Sequence, residues 1–401
     1  MAPSISGRFI DLHVIQAVPY SNLNRDDTNS VKTVQYGGVG RTRVSSQSWK
    51  RAIRLEVEHA LGQEALRTRR VAERLARHLR TERGWPDSLA TRAGVYTVVA
   101  SSVGAEPPKK KTKDQELGDG PETEDEVPWG TKAMVYIPAT AISELADIAE
   151  EFRAALEAAK ETPDVKAKEP LLPKARIDGI LRSRNGIINL LGRMLAELDD
   201  ARVDGAVQVA HVLTTHETDV EIDYFSAVDD VTAAWGDTAG SAHMGHNEYS
   251  AGTFYRYVTV DLNDLLHNLG GDQQAARELA EAFLAATIMS LPQAKKNSTA
   301  PHTFPDLIVV NVRADRPYSY AAAFEEPVTA SRDSGFTGNS IDALATYAAK
   351  LDKLLGRRTS AYRAYAGTSA KELSGLGTET ESFDDLISAA LDAAFAPKAA
   401  S

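Results

Sequence analysis

Residues 36–54 read YGGVGRTRVSSQSWKRAIR, and the reading of this stretch decides that of the rest. Ser45 and Ser46 are both good helix N-caps. Behind them apolar side chains recur at Trp49, Ile53, Val57 and Leu61, with Glu56 interrupting that side. At about 100° per residue, Gln47, Lys50, Arg51 and Arg54 share one face, while Trp49, Ala52, Ile53 and Ala60 share the opposite one. The spacing predicts a basic rail backed by a core. Arg41, Arg43, Lys50, Arg51 and Arg54 supply positive charge between positions 41 and 54, where no acid occurs. A helix N-terminus adds oriented amides for an anion. A solvated face is the plainer reading of any basic helix. The lack of an i,i+4 acid before Glu58, and Gly37, Gly38 and Gly40 just upstream, favour phosphate contact instead.

Working outward, residues 9–16 alternate, with Ile10, Leu12 and Val14 against Asp11, His13 and Gln16, which predicts a half-buried strand. Residues 19–40 are polar and glycine-bearing, too long for a turn and therefore mobile or functional. Residues 67–83 form an Arg-rich helical stretch, and residues 105–128 a surface excursion with a basic and an acidic block. An amphipathic helix is expected over 139–160. Strands are expected at 207–214 and 254–262, a helix at 272–291 stopped by Pro292, and an apolar strand at 307–312. Interleaved strands and helices without a repeat or a clear linker predict one α+β core carrying excursions.

Composition narrows the function. The chain has 401 residues, 43% of them hydrophobic and 25% charged, and no cysteine, which removes disulfides, thiolate metal sites and cysteine nucleophiles. The opening residues carry Arg8, Asp11 and His13 through their apolar part, so neither a signal segment nor a membrane span is expected, and a cytoplasmic location is. A net charge of -11 argues against a nucleic-acid partner until it is divided: residues 1–100 hold 16 basic and 9 acidic side chains, net +7, leaving -18 for the remainder. A basic front can meet a polyanion while an acidic back meets protein.

Other motifs are weaker. The glycines fit neither GxxxxGK[ST] nor the dinucleotide fingerprint. Asp26 and Asp27, beside Asn24 and Arg25, suit a divalent-metal nuclease, although Asp in a polar loop more often bonds local amides. His211 and His216, and His243 and His246 near Asp229 and Asp230, lack a shared helical face for zinc. Within residues 215–253, Tyr224, Phe225, Trp235, Met244 and Tyr249 stand among acids, positioned either to pack under a loop or to stack on bases.

Five stretches carry a resemblance: LNRDD (23–27), residues 36–54, LLGRM (190–194), QVAHVLTTHETDVEIDYFSAVDD (208–230) and GSAHMGHNEYSAGTFYRYVTVDL (240–262). Together they resemble the CasC family, the backbone subunit of the type I-E CRISPR surveillance complex Cascade, over about residues 8–324. The resemblance implies an RNA-recognition-motif-like (ferredoxin-like) antiparallel palm with a helical finger insertion and a thumb. It would divide the chain into palm (1–60), finger insertion (61–190), palm (191–214), thumb (215–253), and palm with C-terminal helices (254–401). It further implies a non-catalytic subunit without a cofactor, stacking with further copies of itself along a guide RNA (crRNA), beside other Cascade subunits and a target DNA. Carried onto this chain, Arg25 and Lys32 in the loop, Arg41, Arg43 and Ser46 at the helix start, Gln47, Lys50, Arg51 and Arg54 on the helix, and Lys295 in LPQAKKNS would hold RNA. Met194 would sit beside a kinked nucleotide, and Tyr224 and Phe225 at the thumb tip. In the thumb, acids would face a basic protein surface such as residues 67–83, and its flanking strands are expected to end before it. Related type III subunits cleave RNA, so target-RNA cleavage through Asp26 is the alternative.

Overall fold

The computed structural model describes residues 5–110, 126–165, 169–228, 241–356, 360–369 and 371–397. The chain divides into two compact units, Met1–Ala60 with Ala206–Ser401, and Leu61–Gly205, where a single core was expected.

The first unit is built on a ten-stranded sheet, mostly antiparallel. From one edge the order is Thr378–Glu379, Tyr362–Gly367, Leu307–Arg313, Phe9–Ser21, Ser241–Asp261, Val212–Thr214, Val39–Val44 and Thr33–Tyr36, with the first pair parallel. The strand Phe9–Ser21 lies between Ser241–Asp261 and Leu307–Arg313, so it is a central strand. Its polar side was expected to face water, yet Asp11, His13 and Gln16 are as buried as Ile10, Leu12 and Val14. Helices account for this, because elements cover both faces of the sheet. On one face Ile15, Tyr255, Leu307 and Val309 pack with Ile341 and Leu344 of helix Thr337–Leu355. Helix Phe383–Phe395 lies against helix Gln273–Met289 and the strand Leu307–Arg313.

Burial on both faces forces every polar side chain on this strand to find a partner. Arg313 Nε donates to Asp11 Oδ2 at 3.0 Å, and the Tyr257 hydroxyl and the Tyr318 amide donate to the same carboxylate, each at 3.0 Å. Arg313 also reaches the Tyr320 hydroxyl, which Arg363 shares while forking onto Asp352.

The segment 215–253 departs from expectation. Glu221–Val228 pairs with the first part of Ser241–Asp261, Glu221 opposite Tyr249 and Phe225 opposite Gly245, forming a hairpin. A single 21-residue strand thus runs from hairpin to central sheet, so the flanking strand does not end before the excursion. Acidic and apolar residues mix along both strands, which hid the period of two. Asp229, Asp230 and Trp235 lie outside the described residues, as does most of the 105–128 excursion.

The second unit has its own core, in which Leu75 and Leu79 of helix Val71–Arg83 pack with Ala90, Leu145, Ile177 and Leu181. The Arg-rich stretch becomes helical only at Val71, because Ala65–Thr68 is a strand paired with Val135–Pro138. The helix expected over 139–160 breaks at Phe152 into Ala141–Glu151 and Arg153–Ala158. This unit continues through Gly205, so LLGRM belongs to it rather than to the first unit, where 191–214 was expected.

Removing Arg313 strands a buried carboxylate. Arg313→Met should therefore cost about 3–5 kcal/mol in urea unfolding. Adding Asp11→Asn should restore part of the loss, since an amide oxygen in the place of Oδ2 still accepts from the Tyr318 amide without a charge. An unchanged single variant would remove the pair from this role.

Candidate nucleic-acid interface

Helix Ser46–Leu61 is fixed from below. Trp49, Ile53 and Val57 are buried, and Trp49 packs with Val18, Leu23, Val44, Val212, Phe254 and Leu291. Beneath its ring, 3.9 Å from the centroid, lies the Arg256 guanidinium, a cation–π contact. Arg256 also donates to Gln16 Oε1 at 2.7 Å and to the Thr287 carbonyl. Burial pushes this guanidinium down to about 9. One side chain thus joins the helix, the central strand and helix Gln273–Met289.

The opposite face is open. Gln47 and Arg51 are exposed, and Ser46, Lys50 and Arg54 half-buried. Glu56 and Ala60 are exposed too, so neither belongs to the packed side. Arg54 meets Glu58 at 3.7 Å, one turn on. Burial depresses the Lys50 ammonium, a shift that a neighbouring anion would oppose.

Hydrogen bonds bring the polar loop to this helix start. Asn24 Oδ1 accepts from the Ser45 amide at 2.8 Å, and the Lys32 carbonyl from the Arg43 amide at 2.8 Å. Glu248 accepts from the Val31 amide at 3.2 Å and, through its carbonyl, from Asn22, so the hairpin base steadies the same loop. These bonds bring the loop that carries Arg25 and Lys32, and the strand that carries Arg43, to the start of the cationic helix. Arg25 is exposed and donates to Asn29 Oδ1 at 2.5 Å.

Arg41 is a correction. It is fully buried, and its guanidinium donates to the carbonyls of Tyr36, Thr214 and Phe324. Three carbonyls occupy the donors that a phosphate would need. Gly37 approaches the same segment: at φ +63, a Cβ there would stand 1.7 Å from the Glu325 carbonyl oxygen. The glycine run therefore serves a turn and a close approach.

Asp26 is also committed locally. Its Oδ1 accepts from the Thr28 amide at 2.9 Å, the Thr28 hydroxyl at 2.8 Å and the Ser30 amide at 2.9 Å. The Thr28 hydroxyl foremost holds its carboxyl below the usual range. His216 is buried and stacked on Phe336, with Nδ1 against the Glu217 carbonyl and Nε2 accepting from the Thr253 amide. His211 instead stands at the start of helix Ser46–Leu61, so the two do not converge. Among the described residues no group of three or more His, Asp or Glu could hold a metal ion.

Lys295, at φ +55, bonds Asn247 on the hairpin and lies 5.9 Å from the centre of the Tyr249 ring. On the hairpin Tyr224 is 75% exposed and Met244 75%, sharing one face with Ile222. Phe225 lies over Gly245, where a Cβ would come within 2.6 Å of its ring. Met194, in the second unit, is 88% exposed. Its neighbour Arg193 is buried and donates to the carbonyls of Tyr136, Leu181, Arg182, Ser183 and Ala201. Three of these carbonyls close the C-terminal end of helix Lys174–Arg182, where a cation opposes the helix dipole. Sequence reasoning missed Arg193, Arg256 and Glu248. No pattern marks a buried cation whose partners are carbonyls and a ring.

The family described as CT1975-like protein matches residues 10–389. A chain of a CRISPR RNA-guided surveillance complex, described as pre-nicking, is 43% identical with a TM-score of 0.84, over 96% of this chain and 100% of that one. A chain of another CRISPR RNA-guided surveillance complex is 39% identical with a TM-score of 0.73, at the same coverage. Comparison with curated proteins returns no match.

A depressed carboxyl contributes order above its unfolded pKa and loses it as pH falls through the folded value. The turn at Asp26 should therefore persist below about pH 3.9, the ordinary aspartate value. Amide exchange at Thr28 and Ser30 checks this, and release well above that pH would show that the carboxylate does not hold the loop.

Proposed function

The chain belongs to the CT1975-like protein family of CasC-type CRISPR backbone subunits, and from that premise we propose that it binds guide RNA as a backbone subunit of a type I-E surveillance complex. In this reading copies of the chain line up along the RNA and present its bases to target DNA, beside the other Cascade subunits. The first unit serves as an RNA-recognition-motif-like palm, the second as fingers and the hairpin as thumb. The observation that carries the reading is the gathering of Arg25, Lys32, Arg43, Lys50 and Arg51 around a helix seated on a buried tryptophan. Such a surface recognises a backbone, because phosphate contacts position a polymer without reading its sequence. Tyr224, Phe225 and Met194 would press on bases, and Lys295 would add a cation beside the hairpin. The acids of the hairpin repel a polyanion and would face a basic surface such as residues 67–83 of a neighbouring copy.

The same reading makes the chain non-catalytic, in keeping with the engagement of Asp26 by its own loop. Cleavage of bound complementary RNA in magnesium that disappears in Asp26→Ala would overturn it.

Replacing Lys50, Arg51 and Arg54 together with Ala should weaken single-stranded RNA binding with little regard to sequence. The slope of log affinity against log salt should fall by about 0.7 for each phosphate that is no longer neutralised. RNA occupancy and salt dependence equal to wild type would remove this helix from the interface.

Tyr224→Ala with Phe225→Ala should leave the melting temperature near wild type while lowering target-DNA affinity of the RNA-loaded assembly. At about 1–3 kcal/mol per stacked base, the loss should reach ten-fold or more. Unchanged target affinity would reduce the hairpin to a solvated arm.

A further inference from the structure

The ladder beside the basic helix contains an extra residue. Val209 stands opposite Val258 and Leu213 opposite Tyr255, so residues 210–212 face only residues 256 and 257. An insertion of this kind is a bulge, which re-aims a side chain out of the regular alternation. Here it brings exposed His211 to the start of helix Ser46–Leu61. Arg43 Nη1 donates to His211 Nδ1 at 3.1 Å, and the Ser46 amide donates to the same nitrogen at 3.3 Å.

Two donors on one ring nitrogen require a lone pair there, which places the proton on Nε2 of a neutral imidazole. The contact is chemically distinctive. An arginine is usually oriented by a carboxylate, which cancels its charge, and no acid pairs with Arg43 among the described residues. A neutral acceptor orients the guanidinium while leaving its full charge for another anion. Packing does not account for the arrangement, since His211 is exposed and makes these bonds at its rim.

We propose that His211 is a positioning residue of the RNA-binding face, anchored by the Ser46 amide and holding Arg43 toward a phosphate without neutralising it. The proposal rests on the RNA-binding reading above and adds a specific division of labour. Arg43 supplies the charge, and His211 supplies its direction.

The test is a double-mutant cycle on the full-length chain, with labelled single-stranded oligouridine as probe and melting temperature as the folding control. His211→Ala should weaken binding about three- to ten-fold, the range of one ordinary hydrogen bond. His211→Gln, which keeps a neutral acceptor, should recover most of that loss, a rescue that a purely structural role would not produce. In an Arg43→Ala background His211→Ala should add less than about two-fold, because the residue it positions is gone. If His211→Ala melts early, His211→Leu takes its place in the cycle. Equal losses with and without Arg43, or no loss at all while the Lys50, Arg51 and Arg54 triple variant binds poorly, would overturn the proposal alone. Failure of the wild-type chain to bind, or wild-type affinity in the triple variant, would overturn the RNA face itself and this proposal with it.

Discussion

Everything in the first unit depends on a strand that is buried on both faces yet carries Asp11, His13 and Gln16. An unpaired charge or amide in such a place costs several kcal/mol, so each of the three imposes a partner. Asp11 imposes Arg313, Tyr257 and the Tyr318 amide. His13 imposes a relay in which the Tyr320 amide donates to the Tyr255 hydroxyl and that hydroxyl meets His13 Nδ1 at 2.9 Å, with Tyr320 stacked on the ring at 4.0 Å. Burial first, and then Arg313 and Arg363, hold His13 well below its ordinary pKa and keep it neutral. Gln16 imposes Arg256. The three demands fix the register of the central strands.

The third demand reaches the surface. Gln16 orients Arg256, Arg256 underlies Trp49, and Trp49 sets the roll of helix Ser46–Leu61. A helix free to rotate would average its cations over a wide arc. Seated in this way, its Lys50, Arg51 and Arg54 side present one edge to solvent, and the loop that brings Arg25 and Lys32 is tied to its first turn by Asn24. The order that runs from the core to the interface is one of increasing exposure and decreasing constraint. That gradient suits a surface that must meet a flexible polymer in a definite direction.

The sequence disclosed what depends on local period and charge. The helix from Ser46, the strands at Phe9 and Leu307 and the helix from Gln273 follow from apolar spacing and capping, and the basic face from the acid-free run. Three features depended on partners far along the chain. Arg41 has the same spacing as Arg43, yet the Thr214 and Phe324 carbonyls that draw it inward come from distant segments. The hairpin at Glu221–Val228 was concealed because an exposed two-stranded arm has no buried face to enforce alternation. The division into two units has no linker to mark it in the residue pattern, and only the resemblance set an insertion apart from residue 61 onward. The family resemblance supplied the repeated subunits and the guide, which no residue pattern contains.

Charge is the last step. A chain of net charge -11 meets a polyanion only if its acids are kept away from the contact or already engaged. Both occur around the basic helix. Asp26 is engaged by the Thr28 and Ser30 amides, Glu58 by Arg54 and Glu248 by the Val31 amide, while Arg43 is held by an imidazole rather than a carboxylate. A hydrolytic site would need the reverse, with carboxylates pointing outward and short of partners so that a cation or a water proton could be held. The partner choices made by Asp26, Glu58 and Glu248 therefore leave these three carboxylates engaged within the protein beside the cationic helix.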